Sequence, residues 1–96
     1  MISKRPKAAA NIQIGNERAI ITEWWFAPGA ETGWHKHGYD YIVVPGIDGY
    51  LLLETEEGEC IAELKGCQSY YRPIGVEHNV VNANDSEFYF VEIELR

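Results

Sequence analysis

The chain has 96 residues, 46% of them hydrophobic, with three Trp, six Tyr and three Phe and a formal net charge of -7. That length allows one domain around one core, and the aromatic content excludes a disordered chain. Lys4, Arg5 and Lys7 hold three of the eight basic residues, so the rest is more acidic than the total implies and offers no cationic surface for nucleic acid.

In chain order, residues 1–10 read as a flexible basic N-terminus and 11–96 as a single β domain. No apolar run has the length of a membrane span or the form of a secretory signal. Turn signals recur at Gly15-Asn16, Pro28-Gly29, Pro45-Gly46, Asp48-Gly49, Glu57-Gly58, Lys65-Gly66, Pro73 to Gly75 and Asn84-Asp85. The runs between them are rich in β-branched and aromatic residues and lack a helical period, which predicts an all-β sandwich or barrel.

Within this pattern, Ala19 to Phe26 carries large side chains on both faces, Trp24 and Phe26 on one, Ile21 and Trp25 on the other. Cys60, Ala62 and Leu64 are expected to face the core, away from Glu59, Ile61 and Glu63. At the C-terminus Tyr89, Val91, Ile93 and Leu95 are expected inward and Glu92 and Glu94 outward, with Phe88 and Phe90 breaking the alternation. The surplus aromatic surface is expected to be covered either in a homodimer or by a neighbouring strand or the N-terminal segment. Cys60 and Cys67 form no disulfide framework, which places the chain in a reducing, cytoplasmic compartment.

The three histidines, His35, His37 and His78, all fall in two segments marked by glycine and proline. On a strand, His35-Lys36-His37 puts two imidazoles on one face, and a third from another strand completes a facial set of nitrogen ligands for one divalent metal ion. Proton competition is then expected below the ordinary histidine pKa of about 6.5.

Gly29, His35, His37 and Gly49 together resemble the first cupin motif, and Pro73, Gly75, His78 and Asn82 the second. The chain is thereby identified as similar to the cupin superfamily, whose fold is a double-stranded β-helix, a jelly-roll-like barrel. The string Glu31 to His37, with Tyr39-Asp40-Tyr41, Ser69 to Pro73 and Val76 to Asn79, resembles small single-domain cupins of the β-alanine degradation type. Two departures stand out. Where the family supplies a glutamate ligand the chain has Tyr41 and Ile42, with Asp40 one residue early, and Cys67 replaces a turn glycine.

The resemblance implies a metal site of His35, His37 and His78 holding Fe, Ni, Zn or Mn. It also implies either a metalloenzyme of oxygenase, isomerase or decarboxylase type acting on a small anionic metabolite of amino-acid or β-alanine catabolism, or a non-catalytic cupin that binds or senses one. Tyr41 is the candidate catalytic group, through its phenol. Arg72 is the candidate clamp for a substrate carboxylate, and Asn82, on the face of His78, a second candidate contact. Cys67 reads as a small buried hydrophobe, and Glu31, Glu54 and Glu77 read as solvated.

Overall fold

The computed structural model describes residues 4–96, which form nine strands in two antiparallel sheets. They are β1 (Ala9–Gly15), β2 (Ala19–Phe26), β3 (His35–Lys36), β4 (Asp40–Pro45), β5 (Gly49–Thr55), β6 (Gly58–Leu64), β7 (Tyr70–Arg72), β8 (Glu77–Asn82) and β9 (Phe88–Leu95). One sheet runs β1-β2-β9-β4-β7 and the other β3-β8-β5-β6. No helix is present among the described residues, and so none is long and apolar enough to cross a membrane.

The inner faces of the two sheets close on a core of Phe26, Phe88, Phe90, Leu51, Leu64 and Val43. Phe26 stacks near Phe90 with ring centroids 5.5 Å apart, a spacing favourable to aromatic pairs. Trp25 points outward and stacks on Tyr89 at 4.6 Å. The two aromatic faces of β2 therefore serve two surfaces, one the core and the other the outside of the sheet.

On β9 the structure inverts the expected facing. Phe88 and Phe90 are buried and Glu92 follows them inward, while Leu95, on the other parity, is 39% exposed. Register decides this: Phe26 opposes Phe88, Trp24 opposes Phe90, and Thr22 opposes Glu92, so a period-two strand must carry Glu92 to the side that its two Phe fill. On β6 the expected inward positions hold for Leu64, which is buried, and in part for Ala62, whereas Cys60 is exposed.

The N-terminal segment runs along the barrel from Arg5. The Glu31 N–H donates to the Pro6 carbonyl, the Ala8 N–H to the Glu31 carbonyl, and β1 already starts at Ala9. The boundary expected at residue 10 coincides with no break in these elements, and residues 1–3 of that segment lie outside the described residues.

Cys67 is exposed, not a buried hydrophobe, and has φ of 64°. Its N–H donates to the Pro45 carbonyl, fixing a turn in the left-handed region that disfavours side chains bearing Cβ. Cys67→Gly is expected to raise stability by about 0.5 to 1 kcal/mol and Cys67→Val to lower it. Denaturant midpoints of the two variants measure both shifts, and equal midpoints would show that the turn stores no strain.

Candidate metal centre and cavity

His35 and His78 are directly opposed across the short pairing of β3 with β8. His37 is placed by the turn beyond, where its N–H donates to the Val76 carbonyl and its own carbonyl accepts from Gly75 N–H. Gly75 has φ of 98°, a conformation that lets the chain double back at the mouth. The three Nε2 atoms converge: His37 Nε2 is 3.1 Å from His35 Nε2 and 3.1 Å from His78 Nε2.

An ion about 2.0 to 2.1 Å from each nitrogen, at octahedral or tetrahedral angles, holds such nitrogens about 2.8 to 3.4 Å apart. The triad fits that spacing. His35 Nδ1 lies 2.8 Å from the Gly33 carbonyl and 3.3 Å from the Thr32 hydroxyl. Donation to that carbonyl puts the ring proton on Nδ1 and leaves the Nε2 lone pair free for a cation. Burial, followed by the charge of His35, lowers the pKa of both His37 and His78, each to about 4, with His78 adding to the effect on His37. Two of the rings are thus neutral, and competent to bind, well below pH 6.5.

A polar network lies behind the triad. Asn79, 6% exposed, donates to Glu31 and Glu54 and accepts from the Gly33 N–H. Arg5 pairs with both carboxylates, so hydrogen bonding to Arg5 and then Asn79 lowers the Glu54 pKa. Glu31, 6% exposed, belongs to this network and is not solvated, and Glu77 accepts from the Trp34 indole N–H. Two of the acids read as solvated, Glu31 and Glu54, thus hold the Asn79 amide that fixes the Thr32-Gly33 turn beside His35.

The triad opens on a cavity of about 730 Å³ between the sheets. Tyr41, 3% exposed, stacks on His37 at 3.8 Å between ring centroids; burial raises its pKa, so the phenol stays protonated. Arg72 lines the same cavity, lying 4.6 Å from the Tyr70 ring centre and donating to the Tyr71 carbonyl. Asn82 does not line it. Its side-chain NH2 donates to the carbonyls of Phe26, Ala27 and Ser86 and its oxygen accepts from Asn84, so the residue ties a loop together. Asp40 accepts from Tyr71 and from the Ile74 N–H, outside the cavity, and β4 runs in unbroken register with β9 without a bulge that would redirect it.

Glu92 is the group that sequence reasoning missed. It lines the cavity at 9% exposure, and one carboxylate oxygen each from Glu92 and Glu94 lies within 4.8 Å of a His37 ring nitrogen. Its pKa is raised to about 7 by burial and then by Glu94, with Trp24 pulling weakly the other way. The available signal was the Phe88-Phe90 pair of the same parity. Because the folded pKa exceeds the ordinary 4.5, this group contributes stability that is complete below about pH 4.5 and lost as pH rises through 7. In chelator-treated protein, Glu92→Gln is expected to match the parent near pH 4.5 and to exceed it by up to about 3 kcal/mol above pH 8. Parallel stability–pH curves for the two proteins would show that Glu92 ionises normally.

No protein-family model matches the chain. A curated relative, the β-alanine degradation protein BauB of Pseudomonas aeruginosa, is 56% identical over 95 residues, covering 99% of this chain and 100% of its own. The crystal structure of a cupin domain from Bordetella pertussis is 57% identical, covers 98% of each chain and superposes with a TM-score of 0.96. A double-stranded β-helix protein of Klebsiella pneumoniae, 18% identical with a TM-score of 0.76 over 99% of this chain and 81% of its own, shares the fold. With full-length identity above one half, the same two-sheet barrel and both histidine segments in place, the chain belongs to the cupin superfamily as a small single-domain cupin of the BauB type.

Proposed function

We propose that this cupin holds one divalent metal ion through His35, His37 and His78 and acts as a metalloenzyme on a small carboxylate-bearing metabolite of β-alanine or amino-acid catabolism. The observation that carries the proposal is the meeting of three Nε2 atoms at metal-ligand spacing. The relative's name supplies the metabolic setting. Iron, nickel, zinc or manganese bound there would polarise a carbonyl or carboxylate, and a redox-active one would add electron transfer.

The chain's own residues supply the rest. Tyr41 holds the His37 ring face to face and keeps its phenolic proton, which makes it a hydrogen-bond donor and a poor base at working pH. Arg72 presents its remaining guanidinium N–H groups to a carboxylate from the cavity wall. A non-catalytic binding role is the second reading, and the Tyr41 in place of a ligating glutamate favours it.

Elemental analysis of untagged protein and unfolding with and without chelator test the metal. At a thousandfold excess of metal over its dissociation constant the stabilisation is expected to be about 4 kcal/mol, and His37→Ala is expected to abolish it. Because His37 and His78 titrate near 4, proton competition at those two nitrogens is expected to set in near pH 4 to 5, below the 6.5 of an ordinary histidine. An unchanged midpoint after proven metal removal would refute the centre.

The proposal extends to a homodimer. All seven residues of the edge strand β1 are exposed, Ile12 at 67% and Ile14 at 49%, so neither face of the strand is covered within one chain. Sedimentation is expected to give twice the 10.9 kDa chain mass, and a monomer at micromolar concentration would rule the dimer out. The two exposed free thiols, Cys60 and Cys67, support a cytoplasmic location.

A further inference from the structure

We infer that Glu92 and Glu94 form a subsite for the ammonium group of the ligand, so that the cavity selects a short amino acid over the corresponding simple acid. This rests on the reading of the cavity as a metabolite site and names its substrate class. Glu92 is 9% exposed, no ion pair among the described residues reaches its carboxylate, and the donor beside it is the Trp24 indole N–H. That N–H, on the neighbouring strand, is buried and lies outside hydrogen-bond geometry, so it answers the carboxylate only weakly. A carboxylate that faces the cavity with so little support from the protein is open to a cationic ligand, which would relieve its desolvation.

The surroundings select among cations. His37 already gives Nε2 to the histidine triad, so a second metal ion at Glu92 and Glu94 would have to share that nitrogen or take the other one of the same ring. An ammonium needs no such ligand. It brings three N–H donors to the two carboxylates, and Trp24 and Tyr41 line the same cavity with aromatic surface suited to an organic cation. Tyr41 stands opposite Glu94 on one side and Arg72 on the other. Cationic and anionic groups thus face the cavity about 10 Å apart across the sheet at the backbone level. A short zwitterion spans that polarity with its amine at Glu92 and Glu94 and its carboxylate toward the metal centre and Arg72, whereas a simple acid leaves the carboxylates unanswered.

Calorimetric titration of metal-loaded protein with β-alanine and 4-aminobutanoate, each against its des-amino partner propanoate or butanoate, reads the selection directly. The amine-bearing probe is expected to bind about 10- to 100-fold more tightly. Glu92→Gln is expected to erase that preference while leaving the metal content unchanged, and Glu94→Gln to reduce it without loss of fold. Equal affinity for both members of each pair overturns the subsite, as does a Glu92→Gln protein that keeps the preference or that loses its metal. Repeating the titration on chelated protein separates the two proposals. Amine preference that survives metal removal belongs to the carboxylates, and failure to find metal in the parent protein strikes the centre alone.

Discussion

The pairing of β3 with β8 is the constraint on which the site depends. It is only two residue pairs long, yet it sets His35 opposite His78. Backbone bonds at either end hold it, the Thr32 N–H donating to the Val80 carbonyl on one side and the His37 N–H to the Val76 carbonyl on the other. Two pairs of strand hydrogen bonds are a weak element alone. Here they are fixed because β8, buried along most of its length, is also anchored to β5.

A ligand set built on so short a strand needs support, and the Arg5, Glu31, Glu54 and Asn79 network provides it. Asn79 alternates with His78 along β8, pointing away from the triad to the opposite face, where it gathers two carboxylates and the Gly33 N–H. Pairing with Arg5 favours the charged form of Glu54, while hydrogen bonds fix the turn that sets the His35 tautomer. The N-terminal segment thus contributes to the site through the Arg5 guanidinium, the Lys7 ammonium on the Thr32 carbonyl and backbone bonds to Glu31, although none of its described residues lines the cavity.

The opposite wall follows the reverse logic. The five-stranded sheet packs Phe26, Phe88 and Phe90 at one end of the barrel and then, along the same face of β9, presents Glu92 and Glu94 to the cavity. A barrel filled by side chains at one end and open at the other turns its last inward positions into ligand contacts. The acidic pair is therefore a product of the same alternation that builds the core.

Much of this was legible in residue order alone. Turn spacing and β-branched runs determine an all-β chain, and the two histidine segments, with their glycines and prolines, determine which side chains supply nitrogen, because local spacing controls which residues share a strand face. Strand register across distant parts of the chain was not legible there. β9 carries apolar residues on both faces, so its pattern permits either orientation, and only the pairing of Phe88 with Phe26 turns Glu92 inward. Asn82 shares parity with His78, yet the loop after Phe26 claims its amide. Glu31 and Glu54 meet Asn79 and Arg5 through contacts between residues up to 49 positions apart. Alternation along a strand fixes relative facing, while which face meets the core is a property of the packed sheets, and this is why the tertiary structure alone assigns the acidic wall.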